Sequence, residues 1–96
     1  MSIITVVAKL VVRNDNVATV KAELLKLIEP TRHEEGCIEY RLHQDNADPK
    51  VFIFYENWEN MSRLDRHIAS PHYRQYVTAV AGMIEEKTVH KVTCIA

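Results

Sequence analysis

The sequence predicts an α+β fold with the element order β-α-β-β-α-β, in a single domain that spans residues 1–96. Segments rich in Ile, Val and Thr occur in this order with two segments whose apolar residues have helical spacing. A chain of 96 residues has room for one hydrophobic core, and its 2 glycines and 3 prolines favour short connections. This order is the split-βαβ, ferredoxin-like arrangement, in which helices cover one face of an antiparallel sheet.

The first strand and the first helix are predicted within the first 36 residues. Ile3 to Val12 is a nearly continuous run of strand-forming residues, followed at 13–16 by a turn that offers helix caps. Apolar residues at helical spacing from Val17 to Ile28 predict an amphipathic helix, which Pro30 ends or kinks. A second turn leads to Gly36, a residue type that is common just after a helix.

A hairpin is predicted next. Cys37 to Gln44 alternates between apolar and polar residues, which is typical of a strand. One face of this segment carries Ile38, Tyr40 and Leu42, and the other carries Glu39, Arg41 and His43. Residues 45–49 have the composition of a turn, and Val51 to Trp58 is the third strand.

The second helical region is predicted in two pieces. Asn60 can cap a short first piece, and Ser70 followed by Pro71 restarts the helix, because serine is a favoured cap and proline a favoured first residue. The second piece carries Tyr73, Tyr76, Val77, Val80 and Ile84. The last strand is predicted from Thr88 to Ile95.

The third strand predicts a homodimer because it is apolar on both faces. Its residues form two sets: Val51, Ile53 and Tyr55 on one face, and Phe52, Phe54 and Trp58 on the other. Helices can cover only one face of the sheet, and monomers rarely expose an apolar patch of this kind. We therefore expect two sheets to pack face to face in a dimer.

Composition excludes several classes of protein. The charges nearly cancel, with 12 Lys+Arg against 13 Asp+Glu, so we expect neither a nucleic-acid partner nor a polybasic membrane surface. No apolar run approaches the roughly 20 residues of a membrane span. The first residues lack the basic segment of a signal peptide. Cys37 and Cys94 are expected to be free thiols, which indicates a cytoplasmic protein.

Two histidines close to the helix break are candidate catalytic residues. His67 lies at the border of the apolar stripe formed by Met61, Leu64 and Ile68, and His72 follows the Ser70 cap. A neutral imidazole at such a border can act as a general base near neutral pH. Alternatively, His67 bonds a backbone carbonyl or is simply exposed, and His72 only supports the start of the helix.

The end of the third strand offers further candidates. Trp58 is either a core residue or a flat wall for an aromatic ligand. Asn57 beside it can donate a hydrogen bond to a substrate oxygen, or can cap the following turn. Glu56 shares a face with the apolar residues Phe52 and Phe54, so its carboxylate needs a partner or a proton.

Metal and nucleotide cofactors are not expected. His33 and Cys37 lack the second pair of ligands that a zinc site needs, and the pair His67 and His72 crosses a helix break without an accompanying carboxylate. With two glycines, the chain has no glycine-rich phosphate loop, which disfavours the common nucleotide and flavin sites.

Three motifs in the sequence have the residue types and spacing of a known family. The first is Thr31-Arg32-x-Glu34-x-Gly36-Cys37-x-x-Tyr40-x-Leu42, and the second is Phe52-x-Phe54-x-Glu56-x-Trp58. The third is Leu64-x-x-His67-x-x-x-Pro71-His72-Tyr73. Together these motifs resemble the antibiotic biosynthesis monooxygenase (ABM) family, and within it the small YgiN-like quinol monooxygenases. They keep the family's order and spacing over nearly the whole chain.

The resemblance implies a dimeric α+β barrel and an enzyme that oxidises a small aromatic quinol or polyphenol with dioxygen, without a cofactor. A deprotonated hydroquinone can pass an electron directly to dioxygen, so such an enzyme needs a base, a dry cavity and a hydrogen-bond donor. His67 or His72 is then the candidate base, and Asn57 the candidate donor. The candidate substrate-binding residues are Phe54, Tyr55, Glu56, Trp58 and Tyr76.

Other activities occur on the same fold. The haem-degrading members of the family use an asparagine near the start of the first strand, and this chain has Ile3-Ile4-Thr5-Val6-Val7 there. A non-oxidative isomerase of a small oxygenated metabolite and a non-catalytic binding protein both remain open. Oxygen consumption separates the monooxygenase from these two.

Overall fold

Four strands form one antiparallel sheet in the computed structural model, which describes residues 2–96. The strands are β1 (Ile4–Val12), β2 (Cys37–Gln44), β3 (Val51–Trp58) and β4 (Ile84–Val92). Their spatial order is β2-β3-β1-β4, so the first and third strands are central and the second and fourth are edges. The predicted ferredoxin-like α+β fold is confirmed, and both strands of the predicted hairpin have the predicted bounds.

Four helices connect the strands and pack on one face of the sheet. They are α1 (Val17–Lys26), α2 (Ile28–Arg32), α3 (Met61–Ile68) and α4 (Pro71–Ala79), and a short 3-10 turn at Asn14–Asn16 precedes the first. The caps are as predicted: the Asn60 side chain accepts from Arg63 N, and the Ser70 side chain accepts from Tyr73 N. Within residues 2–96, no helix has the length and apolar character needed to cross a membrane.

The hydrophobic core lies between the helices and the face of the sheet that carries Phe52, Phe54 and Trp58. Alternate residues of the central strands point into it, and α1 contributes Val20 and Leu24. The strand register also places Lys91, Val6, Glu56 and Tyr40 in one row across this face, because each residue is paired with the next. A carboxyl group therefore lies within an otherwise apolar layer.

The first helix differs from its prediction. It breaks at Leu27 and resumes as α2, which contains Pro30, so of the two predicted effects of Pro30 the end of the helix was wrong and an interruption close to it is observed. Pro30 is the third residue of α2, where a backbone N–H has no helical partner to lose, so the proline costs little there. Gly36 lies four residues beyond Arg32 and has φ of +91°, so it closes the turn before β2 and does not follow the helix directly.

The last strand also differs from its prediction. It spans Ile84–Val92, whereas the sequence predicted Thr88 to Ile95 and placed Ile84 in a helix. The helix ends at Ala79, Gly82 takes a positive φ of 79°, and Ile84 then pairs with Val12. Pairing with β1 sets these bounds, and the polar composition of this edge strand does not indicate them.

The face of the sheet opposite the helices is partly apolar. It carries Val7, Val11, Val51, Ile53, Tyr55 and Val92, with charged residues around them. Ile38 does not join Tyr40 and Leu42 as predicted, because a β-bulge follows Cys37 and leaves Ile38 exposed.

The two cysteines are free and belong to opposite ends of the sheet order. Cys37 is half-buried at the start of the edge strand β2, and Cys94 is exposed beyond the other edge strand, β4. Burial raises the pKa of the Cys37 thiol to about 11, and the nearby Glu34 and Glu56 carboxylates act in the same direction. Cys37 therefore remains protonated at neutral pH.

Candidate active site

A cavity of about 340 Å³ lies between the sheet and the helices α3 and α4. Its walls are mostly aliphatic and aromatic: Val6, Ala8, Leu10, Leu27, Phe54, Leu64 and Ile68. Three residues of the edge strand β4, Lys87, Val89 and Lys91, also line it and are exposed to solvent. The cavity therefore opens along β4 and is apolar at its base.

Five polar side chains converge on this apolar space: Tyr40, Glu56, His67, Tyr73 and Tyr76. They come from four elements, since β2 and β3 provide the first two and α3 and α4 the other three. Lys87 at the opening donates a hydrogen bond to the Tyr73 hydroxyl at 3.0 Å. An apolar pocket with a few convergent polar groups is the usual form of a small-molecule site.

His67 is enclosed by aromatic rings at the end of α3. Its side chain is 2% exposed, and its ring centroid lies 4.8 Å from that of Trp58, 5.1 Å from Tyr73 and 5.5 Å from Tyr40. Burial is the largest influence on this imidazole and lowers its pKa below the ordinary 6.5, so the neutral form is favoured at pH 7. His67 is thus buried within the core and also lines the cavity.

One carboxylate oxygen joins His67 to His72. Glu34 Oε2 lies 2.7 Å from His67 Nδ1 and 2.6 Å from His72 Nε2, and both ring nitrogens donate to it. Ser70 fixes the spacing between the two histidines, since its hydroxyl donates to the His67 carbonyl and accepts from Tyr73 N. Both histidines therefore have a polar partner 33 or more residues away in sequence.

The other ring nitrogen of His67 is free for chemistry. Nε2 has no hydrogen-bond partner within residues 2–96. It is also not fully enclosed, because Thr31 Oγ1 is the only fully enclosed side-chain nitrogen or oxygen without a partner in that range. Because His67 lines the cavity, Nε2 opens onto it. A neutral imidazole with Nδ1–H donating to a carboxylate has its lone pair on Nε2, which is the arrangement of a general base.

The same three residues have side chains that could bind a metal ion. Within residues 2–96, Glu34, His67 and His72 form the one cluster in which three ligand atoms lie within 4.8 Å of one another. The prediction that the two histidines lack an accompanying carboxylate was therefore wrong. Two ligands about 2.1 Å from one zinc ion lie about 3.4 Å apart in tetrahedral geometry, so separations of 2.6 and 2.7 Å are hydrogen bonds and not a preformed metal site.

Glu56 is the second titratable group of the cavity. Its Oε1 accepts from Trp58 Nε1 at 2.9 Å, a bond that favours the ionised form, but burial has the larger effect and raises the pKa of this carboxyl to about 7. Burial also raises the pKa values of the hydroxyls of Tyr40 and Tyr76, which therefore remain protonated. The cavity thus contains one favoured base and several groups that retain protons.

The structure brings some of the predicted site residues together and separates others. His67, Phe54, Glu56 and Tyr76 line the cavity, whereas His72 does not line it and is linked to His67 through Glu34. Trp58 is fully buried behind His67 and is a core residue, not a wall.

Tyr55 and Asn57 are on the opposite face of the sheet, so their predicted roles in this cavity were wrong. Successive residues of a strand point to opposite faces, and both alternate with the cavity residues Phe54 and Glu56. The Asn57 amide is also engaged on that face, since it accepts from Thr5 Oγ1 at 2.6 Å and donates to Glu39 Oε1 at 3.0 Å.

Sequence reasoning missed Glu34, Tyr40, Tyr73, Lys87 and Lys91 as site residues. Tyr40 could have been found, because the alternation of β2 places it on the same face as Leu42. Glu34 is part of the first family-like motif, but it belongs to a polar turn beside Glu35, and the sequence does not indicate that it contacts the histidines. Only the fold brings Glu34 to the end of α3.

A family model described as antibiotic biosynthesis monooxygenase matches residues 3–79 of the chain. The uncharacterized protein sll1783 of Synechocystis sp. is 33% identical over 69 residues, which are 72% of this chain and 47% of that protein. The chain thus spans about half the length of this relative. The "Probable quinol monooxygenase YgiN" of Escherichia coli K12 is 28% identical over 75 residues, 70% of this chain and 72% of that protein.

A relative of known structure agrees in both sequence and fold. Rv0793 of Mycobacterium tuberculosis is 34% identical over 81 residues, which are 84% of this chain and 79% of that protein. Its solved structure superimposes with a TM-score of 0.92 and 28% identity, covering 99% of this chain and 97% of the other. The likeness therefore extends over the whole sheet and its helices.

Proposed function

The chain belongs to the antibiotic biosynthesis monooxygenase family, which supports a monooxygenase-type function, and from this premise we propose that it oxidises a small aromatic quinol or polyphenol with dioxygen and without a cofactor. One observation carries the proposal: a buried, neutral imidazole presents Nε2 to an apolar cavity lined by tyrosines. The name of the Escherichia coli relative points to the same substrate class.

The cavity suits a planar, mostly apolar substrate. Its volume of about 340 Å³ is at the lower end of the range of about 300–1,000 Å³ for small-molecule sites, which favours one or two rings. Phe54, Tyr40, Tyr73 and Tyr76 provide aromatic surface, and the aliphatic residues keep water away from the ring. A phenolic hydroxyl directed towards α3 would lie next to His67.

The first step is the removal of a proton. His67 Nε2 takes the proton of a phenolic hydroxyl, and the resulting phenolate is electron-rich enough to pass one electron to dioxygen. The phenoxyl radical and superoxide combine at a ring carbon, forming a carbon–oxygen bond and a peroxide. An apolar cavity protects these species from water.

The second step releases water. A proton delivered to the outer peroxide oxygen breaks the oxygen–oxygen bond, and the ring carbon loses its hydrogen and keeps one oxygen as a carbonyl. Hydroquinone and dioxygen thereby give a hydroxyquinone and water, so the substrate supplies every electron. Glu56, whose pKa is about 7, is the proton donor in this proposal.

Oxygen uptake tests the function directly. The purified protein should consume dioxygen with a hydroquinone and form a hydroxyquinone that contains one oxygen atom from labelled dioxygen, so that its mass is about two units higher with ¹⁸O₂ than with ¹⁶O₂. Conversion of a substrate without oxygen uptake would support the isomerase, and binding without turnover would support the non-catalytic protein; either result contradicts the proposal.

A His67→Asn variant tests the base. The asparagine amide can still donate to Glu34 from near the position of Nδ1 but provides no base, so turnover should fall by about 100-fold or more. The matched control is His33→Gln, because His33 is exposed at the end of α2 and its ring bonds the Glu29 carbonyl, away from the cavity. Circular dichroism confirms that both variants are folded, and a folded His67→Asn protein with full turnover would exclude His67 as the base.

A further inference from the structure

We propose that Glu34 is a positioning residue of this reaction: its single carboxylate oxygen holds His67 in the tautomer that leaves Nε2 unprotonated, and His72 holds that carboxylate from the solvent side. The inference rests on the proposed function for its kinetic consequences. Its structural consequence, the tautomer of His67, can be observed in the absence of any substrate.

The tautomer follows from the hydrogen bonds. A carboxylate only accepts, so Nδ1 of His67, 2.7 Å from Glu34 Oε2, must carry the proton. A neutral ring has one N–H, and Nε2 is then the acceptor that faces the cavity. Without Glu34 nothing on the Nδ1 side selects this tautomer, since the neighbouring rings of Trp58 and Tyr73 contact His67 by their faces and edges.

Glu34 also opposes the effect of burial on the charge that forms during the reaction. When Nε2 takes a proton, the ring becomes an imidazolium in an apolar site, which burial disfavours. The groups around the ring are Tyr40 from β2, Trp58 from β3, His72 and Tyr73 from α4, and Glu34. Within residues 2–96, Glu34 is the only carboxylate that bonds the ring, and it favours the protonated form.

The position of the carboxylate is fixed on both sides. His72 Nε2 donates to the same oxygen at 2.6 Å, and its side chain is 21% exposed, against 14% for Glu34 and 2% for His67. The turn that carries Glu34 is closed by backbone bonds from Glu34 N to the Thr31 carbonyl and from Cys37 N to the Glu34 carbonyl. The carboxylate is thus set between a buried ring and an outer one.

Glu35 is a matched control for Glu34. It is the adjacent residue and has the same charge, but its side chain is 77% exposed and bonds Arg63 at 3.2 Å. A Glu35→Gln variant removes the same charge from the same turn without touching either histidine. Any difference between the two glutamine variants therefore reports on the contact with His67 and His72.

Kinetics as a function of pH provide the first test. In Glu34→Gln, kcat for a hydroquinone should fall by about 10²- to 10⁴-fold, with KM changed much less, as happens when the orienting acid of a histidine base is replaced by an amide. The rising limb of the pH profile should also shift to lower pH, because the imidazolium loses its carboxylate. Glu35→Gln should match the wild type, and Glu34→Asp should recover part of kcat.

The tautomer provides the second test and is independent of turnover. In the wild-type protein, ¹⁵N chemical shifts of the His67 ring should show a protonated Nδ1 and an unprotonated Nε2 at pH 8, and Glu34→Gln should reduce this preference. A protonated Nε2 in the wild type, or a Glu34→Gln variant with unchanged kcat, overturns the inference. If the wild type oxidises no quinol, the proposed function fails and the ¹⁵N spectrum still decides the role of Glu34.

Discussion

Burial and Glu34 act in opposite directions on the pKa of His67, and burial has the larger effect. His67 is therefore neutral, and able to accept a proton, at a pH below the ordinary pKa of histidine. Glu56, which lines the same cavity, keeps its proton up to about pH 7. Two groups whose environments separate their protonation states in this way are suited to act as a base and an acid.

This pair predicts a bell-shaped pH profile. In the proposed mechanism neutral His67 is the active form, so kcat/KM for a hydroquinone should rise with pH with a midpoint below 6.5. It should fall again near pH 7, as Glu56 loses the proton that the second step requires. Initial rates from pH 4.5 to 9 measure both limbs. Glu56→Gln should lose the falling limb and keep the rising one, and a wild-type profile flat over this range would contradict both assignments.

Glu56 also makes stability depend on pH. Its pKa is about 7 in the folded protein against 4.5 when exposed, so the folded state binds the proton more tightly and the free energy of unfolding decreases as pH rises from about 4.5 to about 7. The loss is on the order of 3 kcal/mol, since each unit corresponds to about 1.4 kcal/mol. Glu56→Gln should therefore be more stable than the wild type at pH 8 and similar at pH 4.5.

Urea denaturation at the two pH values measures this difference. The control is Glu59→Gln, because Glu59 is exposed and only weakly paired with Arg63 at 3.7 Å. An equal stability difference between Glu56→Gln and the wild type at both pH values would show that folding does not raise the pKa of this carboxyl.

The candidate site could be predicted in part, residue by residue. Local patterns placed His67 beside an apolar stripe and put Glu56 on the same face as Phe52 and Phe54, and both His67 and Glu56 line the cavity. Glu34 could not be predicted, because its contacts with His67 and His72 span 33 and 38 residues and depend on how a turn packs against a helix junction. The errors for Tyr55 and Asn57 were avoidable, since strand alternation alone puts them on the opposite face.

At the scale of secondary structure, the turn that ends at Gly36 holds Glu34 in place. Gly36 has φ of +91°, and a Cβ added there would lie 2.3 Å from Cγ of Arg63. Gly82 has a similar φ of +79°, but a Cβ added there would have no atom within 4 Å among residues 2–96. The two glycines therefore share a left-handed backbone conformation and differ in the space around them.

We expect Gly36→Ala to be more destabilising than Gly82→Ala. Both substitutions cost about 1 kcal/mol or more for an alanine at positive φ, and Gly36→Ala must in addition displace the Arg63 side chain. Urea denaturation of both variants measures the difference. Equal losses of stability would show that Arg63 moves aside freely.

Elements with local signals were predicted well, and elements defined by pairing were not. The bounds of β2 and β3 and the caps Asn60 and Ser70 follow from alternation and from capping chemistry. The edge strand β4 has few apolar residues, so the ladder with β1 determines where it begins. Propensity is a weak guide where tertiary contacts decide.

At the scale of the whole molecule, the second face of the sheet predicts a homodimer. Val7, Val51 and Ile53 are half-buried there without a covering layer among residues 2–96, and Tyr55 is exposed. A second copy that packs its own sheet on this face would bury these residues, as a face-to-face pair of sheets does. Light scattering should give a mass near twice 11.1 kDa at micromolar concentration, and a mass near 11.1 kDa would contradict the prediction.

Ile53→Asp should separate the two copies, because an unpaired carboxylate in a dry interface costs several kcal/mol. The matched control is Leu25→Asp, which adds the same charge at an exposed apolar residue of α1. The control should remain dimeric. If both variants keep the mass of the wild type, the face that carries Ile53 is not the interface.

The raised pKa of Cys37 bears on whether a quinone formed in the proposed reaction would modify the protein covalently. Quinones are electrophiles that add to thiolates, and a thiol with a pKa of about 11 is ionised in only about one molecule in ten thousand at pH 7. Cys37, half-buried beside the turn that carries Glu34, would thus resist arylation, while Cys94 is exposed beyond the last strand. Arylation of a cysteine would then occur at Cys94, away from the cavity.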